Sequence, residues 1–328
     1  MTGPFAVLGG GAWGTALAVA AATAAPSRPV ILWMRDRDAA ARAAAERASP
    51  RLPGIRLPDA VRPTAEPEGL AEVDAALVVV PAQALRSALA GLGAALPQEM
   101  PLVLCAKGIE RDTGLFLSEV ARELRPDAPV AVLSGPSFAA DVARGLPTAV
   151  TLAAHDSDLA SRLAASLSGP TFRVYHGTDV RGVEIGGAAK NVLAIAAGIV
   201  EGRGLGESAK AALTARGFAE LMRFASRHGA RPETLMGLSG LGDLVLTCAS
   251  AASRNFSYGL RLGRGASVAE AAEGGLAEGA FTAEALVRLA RGSGIEMPIA
   301  EAVAAVVAGS LSVEGAIEAL LRRPRRAE

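Results

Sequence analysis

The stretch VLGGGAWGT, Val7 to Thr15, stands near the start of the chain and decides how the rest of it reads. Gly9, Gly11 and Gly14 have the spacing GxGxxG, with the apolar run FAVLG leading in and an Ala-rich segment, Trp13 to Ala24, leading out. Glycines so placed between a strand and a helix form a dinucleotide-binding turn. The first allows the sharp bend, the second lets backbone approach a pyrophosphate, and the third lets helix and strand pack closely. The helix start then offers unpaired N–H groups and a partial positive charge to the phosphates.

Outward from this loop the pattern repeats. The runs FAVLG, PVILWM, AALVVV, PLVLC, PVAVL and TAVTLA alternate with Ala-rich amphipathic segments between Phe5 and about His176. That rhythm predicts βαβ units. The runs are nearly continuous in apolar residues, as strands covered on both faces must be. The expected fold is therefore an α/β Rossmann domain with a doubly wound, mainly parallel sheet. Between Ser49 and Pro67, Pro50, Pro53, Pro58, Pro63 and Pro67 forbid a long helix and predict a surface loop. After Thr178 strand patterns stop and helical ones take over: 180–202, 208–228, 241–249, 268–273, 280–291, 299–308 and 313–321. Two domains are expected, a dinucleotide-binding domain over 1–178 and an all-α domain over 179–328. Thr282 and Ser312 read as N-caps, Gly229 and Gly292 as helix stops.

Lys and Arg number 33, as do Asp and Glu, so no global field would attract nucleic acid or an anionic membrane. Arg322, Arg323, Arg325 and Arg326 read as a solvated tail. Apolar runs such as Ala75 to Val80 and Val192 to Val200 end short of the ~18–20 residues of a membrane span. No Lys or Arg precedes Arg28, which argues against a signal peptide and for a cytoplasmic protein. Cys105 and Cys248 lie in separate apolar stretches without CxxC spacing and read as buried free thiols. His155, His176 and His228 have no metal-ligand spacing. No metal is expected, and the catalytic proton carrier is expected not to be a histidine.

Several residues could carry chemistry. PVILWM leads into Arg35, Asp36 and Arg37, where a ribose-binding acid often stands in NAD enzymes. A guanidinium there can pair with a 2′-phosphate, so NADP is favoured; Asp36 keeps NAD open, and Arg37 also reads as a solvated turn charge. Lys107 follows LVLCA at the carboxyl end of a strand, where open α/β sheets bind ligands. Ser134, Gly135 and Ser137 supply hydroxyls and backbone donors in SGPSFA, or form an ordinary turn. Lys190 stands out in IGGAAKNVLAIAAGIV as a lone cation, either snorkelling to the surface or held for proton transfer. Neighbouring cations such as Lys107 and Arg254 would lower its pKa toward a general acid/base range. Asp243, in LSGLGDLVLTC, is expected at a helix start, with Thr247 on the same face. A buried lysine would be a fitting partner for it. Arg254, between Ser253 and Asn255, can grip a phosphate by two parallel hydrogen bonds.

GGGAWGTALA, CAKGIE, SGPSFAADV, GGAAKNVLAIAAGIVEG, LSGLGDLVLTC, SRN and EGAFTAEAL follow in the order seen in bacterial NAD(P)-dependent glycerol-3-phosphate dehydrogenases, which the chain resembles over nearly its whole length. The resemblance implies a helical domain of the 6-phosphogluconate dehydrogenase type. It also implies interconversion of dihydroxyacetone phosphate and sn-glycerol 3-phosphate for phospholipid synthesis. Carried over by motif, Lys190 is the proton acceptor, assisted by Lys107 and Asp243, and the substrate is held by Lys107, Gly135, Ser137, Lys190, Asp243, Ser253, Arg254 and Asn255. The dinucleotide touches Gly9, Gly11, Ala12, Trp13, Gly14, Arg35, Lys107, Ala139, Arg254, Leu276 and Glu278. Ala12 replaces a serine frequent in the family, removing one hydroxyl. A homodimer is expected. Two other readings stay open on the residues alone: a reductase of a hydroxy acid, and a nicotinamide sensor without turnover.

Overall fold

A computed structural model describes residues 1, 3–275 and 277–324. The strands are β1 (Phe5–Leu8), β2 (Val30–Trp33), β3 (Val61–Thr64), β4 (Ala75–Val78), β5 (Leu102–Leu104), β6 (Val130–Ser134), β7 (Thr148–Ala154) and β8 (Phe172–Gly177). Between them run α1 (Ala12–Ala24), α2 (Arg37–Glu46), α3 (Leu85–Leu92), α4 (Leu117–Leu124), α5 (Ala139–Ala143) and α6 (Ser157–Leu167). The sheet order is β3-β2-β1-β4-β5-β6-β7-β8, parallel throughout except where β7 runs antiparallel to β6. The first six strands thus have the doubly wound nucleotide-binding order, whose crossovers diverge on either side of β1 and β4.

Both faces of the sheet are covered, which explains the unbroken apolar runs. Along β1, Phe5 and Val7 join one core with Leu17, Leu32, Leu77 and Leu163, while Ala6 and Leu8 join the other with Val78, Leu85, Leu104 and Val120. Each fully buried leucine here contributes about 1.5–3 kcal/mol of transfer free energy.

Two strands escaped the sequence reading. β3 lies within the proline-rich excursion, and Pro63 pairs with Leu32 at the outer edge of the sheet, where a missing N–H costs no ladder bond. At the other edge, β8 alternates buried Phe172 and Val174 with exposed Arg173 and Tyr175, a half-buried pattern unlike the central runs.

The rest of the chain is helical: α7 (Val180–Gly202), α8 (Glu207–Arg227), α9 (Pro232–Met236), α10 (Asp243–Cys248), α11 (Arg254–Gly263), α12 (Val268–Ala272), α13 (Glu278–Gly292), α14 (Pro298–Val307) and α15 (Val313–Leu321). α7 is long and apolar enough to cross a membrane, contrary to the reading of its sequence, but its most apolar window is wholly buried inside the protein. It is a core helix. Ser312 caps α15 through the Gly315 N–H, and Gly229 ends α8 at a φ of 81°. Thr282, in contrast, lies inside α13 and donates to the Glu278 carbonyl, because that helix starts at Glu278 rather than at Thr282. The left-handed stop after α13 is Gly294, at a φ of 72°, not Gly292. Of the four terminal arginines, Arg322 pairs with Glu318 and Arg323 with Glu296, while Arg325 and Arg326 lie outside the described residues.

The chain divides into two compact units: Met1–Lys107 with Leu115–Glu184, and Gly108–Gly114 with Ile185–Glu328. The division falls inside α7. Its first turn belongs with the sheet because the buried Glu184 carboxylate accepts from both the N–H and the hydroxyl of Ser118 at the start of α4. Segment 108–114 belongs with the helices because Arg288 donates to the Arg111 carbonyl at 2.6 Å.

Candidate active site

In the first unit, the glycine loop leaves β1 and enters α1 with Gly11 as N-cap. No side chain caps that end and no acid stands in the first turn, so the orphan N–H groups are available to an anion. Gly9 has a φ of 126°, open to glycine alone, and a Cβ there would lie 3.1 Å from the Val79 backbone. A Cβ on Gly14 would lie 1.8 Å from the Gly9 carbonyl oxygen. Around a Cβ on Gly11 nothing lies within 4 Å, so the middle glycine is not required by the protein's own packing. Trp13 adds a buried Nε1 donor that no protein group accepts among the described residues. An uncapped helix end, an open glycine and an orphan donor together fit a dinucleotide.

At the end of β2, Arg35 is exposed. Asp36 is already engaged, capping α2 through the Ala39 N–H at 2.9 Å, and exposed Arg37 pairs with Glu66 at 3.5 Å. Beyond β5, half-buried Lys107 donates to the Gly135 carbonyl at 3.0 Å, and Ser137 donates to the same oxygen at 2.9 Å. The fold thus joins the CAKG and SGPS turns. Gly135 has a φ of 151°, and a Cβ there would lie 2.9 Å from Val150 Cα. Ala139 opens α5, which packs against α1.

In the second unit, Lys190 is buried near the middle of α7. Its Nζ donates to Asp243 Oδ1 at 2.7 Å and to Thr247 Oγ1 at 2.6 Å. Thr247 in turn donates to Asp243 Oδ1 at 3.3 Å, completing a triangle. The buried ammonium is therefore partnered by a carboxylate, and Asp243 has the buried lysine expected as its partner. Burying an ammonium without a counter-charge would be prohibitive, and Asp243 provides one. Gly186 makes the approach possible: a Cβ there would lie 2.6 Å from the Ser239 carbonyl oxygen, in the π-helical turn Leu238–Gly242 that leads into Asp243. The Gly-Gly before AAK was the sequence signal for this contact, and the sequence reading did not use it. Burial pushes the Cys248 thiol up to about 12 despite Lys190 nearby, so it is inert at neutral pH.

The SRN segment is a helix start. Ser253 caps α11 through the Phe256 N–H at 3.2 Å, exposed Arg254 is its first residue, and no acid stands in its first turn. Asn255 is buried and its Oδ1 accepts from the Gly279 N–H at 2.9 Å. A helix N-terminus with a guanidinium on it suits a phosphate better than a turn would. Glu278 opens α13, and Leu276 lies outside the described residues. Among the described residues no group of three or more His, Cys, Asp or Glu side chains could hold a metal ion.

Two family models cover the chain: the N-terminal one of NAD-dependent glycerol-3-phosphate dehydrogenase matches residues 4–160 and the C-terminal one residues 179–318. A glycerol-3-phosphate dehydrogenase (NAD(P)+) of Methylobacterium radiotolerans is 64% identical over 327 residues, 99% of this chain and 98% of its own. A protein of the same name from a Bradyrhizobium species is 60% identical over 98% of this chain and 97% of its own. The crystal structure of glycerol-3-phosphate dehydrogenase from Coxiella burnetii is 38% identical, covers 98% of this chain and 99% of its own, and superposes with a TM-score of 0.93.

Proposed function

The chain belongs to the NAD-dependent glycerol-3-phosphate dehydrogenase family, and on that premise we propose that it interconverts dihydroxyacetone phosphate and sn-glycerol 3-phosphate, supplying the latter for phospholipid synthesis. The observation that carries the reading is the buried Lys190–Asp243–Thr247 triangle in the same helical unit as the Arg254 helix start.

A nicotinamide held by the glycine loop would supply or accept the hydride at the substrate's C2. Lys190 moves the matching proton: it donates to the C2 oxygen on reduction and takes the hydroxyl proton on oxidation. A positioned group of this kind accelerates proton transfer by about 10²–10⁴-fold. Asp243 and Thr247 hold Nζ in place and balance its charge. Arg254 and the N-terminus of α11 hold the phosphate, with Ser253 and Asn255 beside them, so remote binding energy orients C2. Lys107, Gly135 and Ser137 complete the proposed substrate contacts. Gly9, Gly11, Ala12, Trp13 and Gly14 bind the pyrophosphate end of the dinucleotide; Ala139, Arg254, Leu276 and Glu278 complete its contacts.

NADPH is the favoured reductant. Arg35 is exposed where the adenosine ribose is bound in this fold, and the nearest acid, Asp36, is spent on capping α2. The same reading expects a cytoplasmic homodimer, checked by sedimentation of the purified chain and cell fractionation.

The test is the initial rate of NADPH and, separately, NADH oxidation with and without dihydroxyacetone phosphate. Substrate-dependent oxidation that is faster with NADPH is the expected result. Tight dinucleotide binding without turnover would overturn the reading.

A further inference from the structure

Gly279 stands where three helices of the second unit meet. It lies in the first turn of α13, where a backbone N–H has no partner within its own helix. A Cβ on Gly279 would lie 2.5 Å from the Asn191 carbonyl oxygen and 2.9 Å from Asn255 Oδ1. Only a residue without a side chain brings α13 this close to α7 and α11. Asn191 follows Lys190, Asn255 follows Arg254, and Gly279 follows Glu278. One glycine thus joins the backbone beside the proton carrier to the backbone beside the phosphate grip.

The Gly279 N–H also decides which way the Asn255 amide faces. A side-chain amide has one accepting and one donating end, and a backbone N–H can be accepted only by the oxygen. The 2.9 Å bond to Gly279 therefore assigns Oδ1, leaving Nδ2 as the end that faces elsewhere. Nδ2 makes no hydrogen bond among the described residues, and Asn255 is 8% exposed at the start of α11, next to Arg254. A flipped amide would present an oxygen to an incoming phosphate and repel it.

We infer that Gly279 is a positioning residue for substrate binding, whose N–H pins Asn255 Oδ1 so that Nδ2 donates to the phosphate held by Arg254. This rests on the reading of the Arg254 helix start as the phosphate site. Gly279→Ala forces either Asn191 or Asn255 to shift. Asn255→Asp keeps the acceptor for Gly279 and removes the donor.

Both variants should raise KM for dihydroxyacetone phosphate by about ten- to a hundredfold, the worth of a hydrogen bond to a charged group, with a smaller fall in kcat. Because Gly279 acts through Asn255, the double variant should be no worse than Asn255→Asp. Additive losses, or a lowered melting temperature in Gly279→Ala with KM unchanged, overturn the inference. A second measurement needs no variant. In wild-type protein labelled at asparagine, the Asn255 side-chain NH₂ signals should move on titration with inorganic phosphate while the Gly279 amide stays protected from exchange; unmoved NH₂ signals overturn the inference. Wild-type turnover of dihydroxyacetone phosphate is the separate control. If it is absent, the functional reading fails, and the phosphate titration still decides the role of Gly279.

Discussion

Lys190 Nζ and Asp243 Oδ1 lie 2.7 Å apart, and the two residues are only 6% and 1% exposed. A buried pair of this kind is costly to break, because the surviving charge is left without water or partner; the loss is about 3–5 kcal/mol. Asp243 thus has two duties, to make the burial of Lys190 tolerable and to orient its Nζ. Asp243→Asn should lower stability by a few kcal/mol and turnover by about 10²–10⁴-fold. Denaturant titration and initial rates check it. Near-normal turnover would remove Asp243 from the mechanism.

Lys190→Ala separates binding from chemistry. The glycine loop and Arg35 lie in the other compact unit, so dinucleotide affinity should persist while turnover disappears. Fluorescence titration with NADPH alongside the rate assay reads both quantities. Residual turnover near the wild-type rate would assign the proton to another group.

Gly11 and Gly14 make opposite predictions from the same loop. Nothing lies within 4 Å of a Cβ on Gly11, whose φ of −70° suits alanine, so Gly11→Ala should fold at a cost of about 1 kcal/mol or less. It should still weaken dinucleotide binding at least tenfold if the pyrophosphate occupies that space. Gly14→Ala meets the Gly9 oxygen at 1.8 Å and should instead lose melting temperature outright. Unchanged NADPH affinity in Gly11→Ala would move the cofactor away from this loop.

Arg254→Lys keeps the charge and removes the planar fork. If the helix start binds phosphate through two parallel hydrogen bonds as proposed, the substitution should raise KM for the phosphorylated substrate about tenfold. An unchanged KM would mean that Arg254 acts as a point charge only.

The parts of the fold legible in sequence were those governed by local rules. Continuous apolar runs betrayed the central strands because both faces of β1, β4 and β5 are buried, and the glycine loop betrayed the turn because its spacing is stereochemically demanding. The edge strands were hidden for the converse reason: β3 tolerates Pro63 and β8 leaves one face exposed, so neither carries the apolar signature. In the site, Lys190 was visible as a lone cation in an apolar helix and a buried lysine as a fitting partner for Asp243, but that these two meet across 53 residues is seen only in the packed helices. Gly279 was invisible for the same reason: only the packed helices show which backbone it approaches.

Glu220 gives the stability a pH dependence whose sign can be worked out. The residue is 3% exposed, and its carboxylate accepts from the N–H of Ile299 at 2.9 and 3.1 Å and of Ala300 at 3.4 Å, capping α14. Those bonds, with Arg223 and Arg323, favour the charged form, but burial outweighs them and pushes the pKa up to about 7. In the unfolded chain the group titrates near ~4.3. Between these values the folded protein holds a proton that the unfolded chain has released, so this contribution is fully present at low pH and lost as pH rises through about 7. The whole effect is at most about 4 kcal/mol. Burial shifts Glu184 in the same direction, so the contribution of Glu220 is isolated by comparing wild type with Glu220→Gln. Denaturation midpoints between about pH 5 and pH 8 should fall more steeply for the wild type than for the variant. Parallel curves would mean that Glu220 is charged in the folded protein throughout, with the helix N–H groups prevailing over burial.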